Sequence, residues 1–407
     1  MEGINKKYNL EIEVQTPLSI GAGAESDWVR GVDYVVDNGI LYKLNVKKMV
    51  QNGISIEDLS SFFTTRNEKG LIAKLAGRLE AVSDSIISIP AESDKDVKGF
   101  VKNKLTGNPV LTGSSMKGAF RSVLFQYLRG KENDDKNVFG SPIDGDEFMR
   151  FLKFSDAEFC GTTLVNTKVF SLRKCGEKWL GGWKHKVETT DVSFSETDFN
   201  TLYECLMPQQ KSCVTLMMAE QSFMHFDVRF YEEEIEELQS RMENEQDEKQ
   251  KKWLSRRIEN FNKLKGKVEG KKELMSQRKL FEIVNQHTKC YLEKEKAFFG
   301  KYSTDRTDDI IASIDALLRQ IPDDNSCCLL KMSAGSGFHS ITGDWQFKDS
   351  YVEGVFDRKR ANRDDLNTPG KILPKTRKIA VWDDHFALMG FVKISAISDG
   401  GEEVMYS

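Results

Sequence analysis

Metal, disulfide and membrane chemistry have little to work with in this chain. Among 407 residues there are five histidines and seven cysteines, and none falls into a CxxC or His/Cys spacing of the kind that holds zinc. The cysteine number is odd, and Cys327 and Cys328 are adjacent, so the cysteines read as reduced core thiols. No metal and no other cofactor is expected. No run approaches eighteen apolar residues, which argues against a membrane-spanning helix. The opening MEGINKKYNLEIEV lacks the apolar segment of a secretory leader, so the expected location is the cytoplasm, with no membrane partner. A charge excess is missing too: the net charge is −4 and the isoelectric point about 5.9. A nucleic-acid partner would therefore have to meet local basic patches. With 39% apolar and 30% charged residues the composition is that of a folded globular chain, long enough for two domains or for one core with large insertions.

What is present centres on Leu111–Leu128, LTGSSMKGAFRSVLFQYL. Thr112 or Ser114 can cap a helix there, and Gly113 lets the backbone turn into it. Met116, Phe120, Val123, Leu124 and Tyr127 recur at spacings of three and four, which predicts one buried face. Lys117 and Arg121 lie four apart on another face and project together. Cations near a helix N-terminus oppose the macrodipole, and a bound anion would relieve that cost. The backbone N–H groups at Ser114, Ser115 and Met116, the hydroxyls and the two cations thus describe a phosphate-sized site; a capped surface helix with solvated charges is the alternative.

Around this stretch, Tyr8, Leu10, Ile12 and Val14 alternate with polar residues and predict a half-buried strand. Leu18–Ala24 carries Gly21 and Gly23, where another chain could approach the backbone. Asn38-Gly39 between two β-rich runs predicts a hairpin over Asp33–Leu44. Pro90–Pro109 reads as a mobile, lysine-bearing surface loop, Phe148–Phe159 and Thr162–Leu172 as strands, and Phe223–Phe230 as another. From Tyr231 onward Ile235, Leu238 and Met242, then Leu254, Ile258, Phe261 and Leu264, mark a helical hairpin, followed by helices over Leu274–Phe299 and Asp308–Gln320. Its acids and bases are mixed, which favours a solvated face. Cys328–Met332 returns to strand and leads into a second glycine loop with Gly335, Gly337, Phe338 and His339, suited to phosphate approach and stacking. RKRANR and PKTRK, the latter with Lys375, Arg377 and Lys378, are basic clusters, and Ala387–Ile394 closes with a core strand. The expected fold is α+β: a ferredoxin-like, RRM-like sheet over residues 1–230, a helical insertion over 231–325, and a β-rich part over 326–407.

The Gly loop TPLSIGAG, the hairpin GVDYVVDNGILYKLN, the helix start GSSMKGAFRS and the late SGFHSITGDWQ recur in that order in one superfamily. The chain resembles the RAMP proteins of CRISPR–Cas systems, and most of all the fifth subunit of the type III-A (Csm) effector complex. The resemblance implies a RAMP core and a non-catalytic role in antiviral defence: gripping the 3′ part of a guide RNA, capping the subunit filament beside other Csm subunits and target RNA, and assisting separate host nucleases in guide maturation. Two glycine loops and scattered cations suit backbone recognition, which a variable guide requires. Two rivals stay open: a RAMP endoribonuclease using His339 or Asp33, and a helical scaffold that binds protein alone.

Overall fold

The computed structural model describes residues 6–21, 23–89, 96–129, 134–141, 147–175, 178–184, 200–220, 228–302, 305–332, 334–335, 376–382 and 385–397. The N-terminal part runs β1 (Lys6–Val14), β2 (Tyr34–Asp37), β3 (Ile40–Leu44), α1 (Val46–Gln51), α2 (Ile56–Thr65), α3 (Glu68–Lys74) and β4 (Ser83–Ser88). Next come β5 (Val110–Leu111), α4 (Gly113–Leu128), α5 (Asp135–Phe139), β6 (Leu152–Phe154), β7 (Ala157–Glu158), β8 (Thr163–Cys175), β9 (Lys178–Trp183), β10 (Thr201–Cys205) and β11 (Lys211–Met218). The rest is α6 (Val228–Asn244), α7 (Glu248–Lys272), α8 (Gln277–Phe299), α9 (Asp305–Leu318), β12 (Cys327–Lys331), β13 (Thr376–Trp382), β14 (His385–Leu388) and β15 (Phe391–Ala396).

Alternation in β1 puts Leu10, Ile12 and Val14 on the buried face, and the same period in β11 buries Val214, Leu216 and Met218 beside them. The main sheet has the order β12-β15-β1-β11-β6, with every neighbouring pair antiparallel. The path β1-α4-β6 brackets β11, and β11-α8-β15 brackets β1. These are the two interlocked split βαβ units of a ferredoxin-like sheet, extended by β12 at the edge. Met116, Phe120 and Leu124 of α4 and Leu280, Phe281 and Val284 of α8 share one core with the strands. Within the stretch expected as an insertion, α8 is therefore a core helix, while α6 and α7 form the hairpin that the periodicity predicts.

A second sheet, β10-β8-β13-β14 with β9 also on β8, packs an aromatic core of Phe170, Trp183, Phe298 and Phe299 against α8 and α9. The expected closing strand Ala387–Ile394 is two strands. Gly390 has φ +84°, and a Cβ there would stand 2.1 Å from the Met332 carbonyl oxygen, so the chain turns and passes from β14 in the second sheet to β15 in the first. The third sheet, β2-β3-β4, holds α1 to α3 through Val35, Leu44, Leu59 and Leu71. Its hairpin turns at Asn38 and Gly39, both at positive φ, as the Asn-Gly pair predicts.

Other expectations are corrected. Residues 221–227 lie outside the described ones, and Val228–Phe230 are the first turn of α6 rather than strand. Residues 96–109 are held firmly: Trp28 and Val97 exchange N–H···O bonds of 2.8 and 3.0 Å, and the Phe100 N–H donates to the buried Glu204 carboxylate at 2.9 Å. The tip, residues 104–107 with Leu105, stands open to solvent. Tyr127 is exposed and Phe125 buried, because Phe139 of α5 packs on Phe125 with ring centres 5.8 Å apart. Cys160, Cys213 and Cys290 are exposed thiols, whereas Cys205, Cys327 and Cys328 are core. Among the described residues, no helix is long and apolar enough to cross a membrane, and no group of three His, Cys, Asp or Glu could hold a metal.

Candidate nucleic-acid interface

The three stretches singled out by sequence meet at one end of the main sheet. The Val101 N–H donates to the Ile20 carbonyl at 2.9 Å, and Val110, which pairs with Val101, leads into α4. From the other side the Ala334 N–H donates to the Ser19 carbonyl at 3.2 Å. Beside this junction lies a cavity of about 280 Å³ lined by Ser115, Gly118 and Ser122 of α4, His287 and Tyr291 of α8, and Lys331 at the end of β12. Lys331 donates to the Met389 carbonyl and lies 4.7 Å from the Phe391 ring centre. Burial brings its pKa down from 10.5 to about 7, because removing an ammonium from water penalises the charged form.

The start of α4 already holds an anion, and it belongs to the protein. The Gly113 N–H donates to Asp156 Oδ1 at 2.7 Å, while Thr112 is the cap: its Oγ1 accepts from the Ser115 N–H, and its carbonyl from the Ser115 and Met116 N–H groups. The Ser114 and Ser115 hydroxyls both bond to Thr112 Oγ1. The Asp156 carboxylate thus meets the positive end of the helix where a phosphate is expected. Gly113 is required by packing, since a Cβ there would lie 2.1 Å from the Phe154 carbonyl oxygen. Lys117 and Arg121 part company: Arg121 pairs with Asp135 at 2.6 Å and lies 4.9 Å from the Phe139 ring centre, while Lys117 has no ion pair among the described residues. Neither lines the cavity, because the groove-facing positions are Ser115, Gly118 and Ser122, spaced by three and four on a different face.

The glycine loops differ. Gly21 and Gly23 are exposed, with nothing within 4 Å of where a Cβ would stand; that space is open to a ligand backbone. Gly335, at φ +74°, packs on the Met389 side chain. Gly337, Phe338, His339 and Lys375 lie outside the described residues, as do RKRANR, His185 and His225. Arg377, expected among the RNA contacts, is instead buried: it forms an ion pair with the fully buried Glu295, and its guanidinium is 3.9 Å from the Phe298 ring centre. Alternation along β13 puts it on the inner face with Ile379. Lys378, on the other face, donates to the Tyr203 hydroxyl. Asp33 accepts the Val29 N–H at 2.7 Å, closing its own turn.

The family model described as the RAMP superfamily matches residues 11–347. The chain belongs to the RAMP superfamily. Its fold is similar to a chain in the cryo-EM structure of a "Csm-crRNA-target RNA ternary complex in type III-A CRISPR-Cas system", with a TM-score of 0.56 at 16% identity over 96% of this chain and 100% of that one. It is also similar to the crystal structure of T. onnurineus Csm5, with a TM-score of 0.54 at 15% identity over 94% and 99% of the two chains. At such identities the likeness is one of fold. A search of the curated proteins finds no match.

In this RAMP chain the sequence reading missed a lysine cluster beside the first glycine loop. Lys43 of β3 sits 3.8 Å from the Trp28 ring centre and Lys102 5.8 Å from it. Lys102 pairs with Glu204, and Lys98 with Asp27. Burial first, then the nearby Lys102, lowers the Lys43 pKa. Lys43 comes from the hairpin and Lys102 from a segment 59 positions on, so no local pattern could join them. The lysine in CCLLK was readable: four apolar neighbours predict a strand that takes Lys331 inward with it.

Proposed function

We propose that this RAMP protein is a non-catalytic RNA-binding subunit of a type III-A CRISPR effector complex. In this reading it grips the 3′ part of the guide RNA, caps the backbone filament and supports guide maturation by separate nucleases in antiviral defence. The observation that carries the reading is end-to-end likeness of fold: nearly all of this chain matches all of a chain from a Csm complex that holds crRNA and target RNA. The exposed Gly21 and Gly23 supply room for a sugar–phosphate backbone without a base-reading code.

Co-expression with the other subunits of such a complex tests it. One copy per complex by native mass spectrometry is expected, and complexes lacking the chain should carry guides with altered 3′ ends. Several copies per complex would overturn the capping role. RNA cleavage by the purified chain that disappears in His339→Ala or Asp33→Ala would replace the reading with the endoribonuclease.

A further inference from the structure

The helical hairpin holds its charges apart. Helix α6 has six Glu against two Arg, whereas α7 has ten Lys and Arg against three Glu. Part of this imbalance is settled between the two helices, since Lys265 pairs with Glu232 at 2.8 Å and its pKa is raised by that bond. The rest is not. Lys249, Lys252 and Arg256 are exposed, and among the described residues they have no ion pair. They recur at three and four, so they form one exposed stripe along α7, spanning about 10 Å at 1.5 Å per residue, with Lys249 and Lys252 also bordering an open concavity that Met242 and Glu243 of α6 and Glu248 share. Leu254 and Val268 point the opposite way, into the hairpin.

Trp253 lies within that stripe. Its side chain is 52% exposed, and the Arg257 guanidinium lies 5.2 Å from its ring centre. A large aromatic ring left in water on a basic helix is the combination that serves single-stranded nucleic acid: cations follow the phosphates, and a base stacks on the ring whatever its identity.

We propose that the exposed stripe of α7, with Lys249, Lys252, Trp253 and Arg256, is a second binding surface for single-stranded RNA, separate from the glycine-loop junction. It rests on the reading of the chain as an RNA-binding subunit. Its occupant is the same RNA continued beyond the junction, held by phosphate pairing and one stacked base without sequence preference.

The test measures binding of fluorescently labelled oligouridylate and of a mixed-sequence single-stranded RNA by the full chain in its assembled complex, across a range of salt. The triple variant Lys249→Gln/Lys252→Gln/Arg256→Gln should lower the log–log salt slope by about 2, at roughly 0.7 per phosphate contact. Trp253→Ala should weaken both RNAs alike, by roughly 5- to 160-fold. All four side chains are exposed, so circular dichroism should be unchanged. If both variants bind with the wild-type slope and affinity, the surface does not hold RNA, and the junction alone carries the proposed function. If the wild type itself binds neither RNA, the underlying reading fails as well. If the triple variant keeps RNA binding but no longer assembles with the other subunits, the stripe belongs to an acidic protein partner and the proposal is overturned.

Discussion

Helices α4 and α7 both carry cations, and they use them in opposite ways. In α4 the cations sit in a recognisable motif, yet Arg121 is tied to Asp135 and the helix start is filled by Asp156. In α7 they sit in a stretch that reads as a solvated face, yet three of them are exposed beside an exposed tryptophan, with no ion pair among the described residues. A charge is available to a partner only where the fold has left it unneutralised. Motif membership does not decide that; the counter-charges brought in from distant segments do.

The contrast between cations used inside and cations kept outside breaks most visibly at Arg377. Replacing it with Met leaves Glu295 charged, fully buried and without its partner, and should cost about 3–5 kcal/mol of stability in chemical denaturation; the double change with Glu295→Met should recover much of the loss. A neutral Arg377→Met would mean that this cation is as dispensable as a surface one.

Lys331 gives an effect spread over pH. Its folded pKa of about 7 lies below the usual 10.5, so between those values the unfolded chain binds a proton that the folded chain does not. The cost of burying the charge is full below pH 7 and absent above 10.5. Stability should therefore rise with pH across that window, by up to about 1.4 kcal/mol per unit. Denaturation midpoints at successive pH values should show this slope, and Lys331→Met should flatten it.

The smallest effects sharpen the comparison within α4 itself. Lys117→Ala should change stability by less than about 0.5 kcal/mol and lower the RNA salt slope by about 0.7 if its ammonium holds a phosphate. Arg121→Ala should cost about 0.2–1 kcal/mol through the Asp135 pair and leave the slope where it was. Equal slopes from both variants would show that the ion pair opens to receive RNA.

Local periodicity made much of the fold readable: β1, the Asn38-Gly39 hairpin, α4 and the α6–α7 pair all announce themselves within a few residues. Where two periods compete, as in FMHFDVRF, the alternation suggested strand while the acidic helix behind it claimed Val228–Phe230. The candidate site was readable only as parts. That Ser19 would meet Ala334, that Asp156 would accept the Gly113 N–H of α4 and that Glu295 would claim Arg377 are facts of tertiary structure, each joining residues 43 or more positions apart in the chain. Charge had the same weakness in reverse, since the even mixture seen over seventy residues dissolves once α6 and α7 are separated.

The turn at Gly390 has a consequence for how the molecule comes apart. The chain leaves β14 in one sheet and enters β15 in the other across two residues, Met389 and Gly390, the second held by its carbonyl's hydrogen bond from the Met332 N–H and with no room for a Cβ beside the Met332 carbonyl. Neither sheet can loosen β14 or β15 without drawing on that pivot, so the two aromatic and aliphatic cores are mechanically geared together. Amide exchange should report one shared opening for β13–β14 and β12–β15, and the two sheets should behave as a single cooperative unfolding unit.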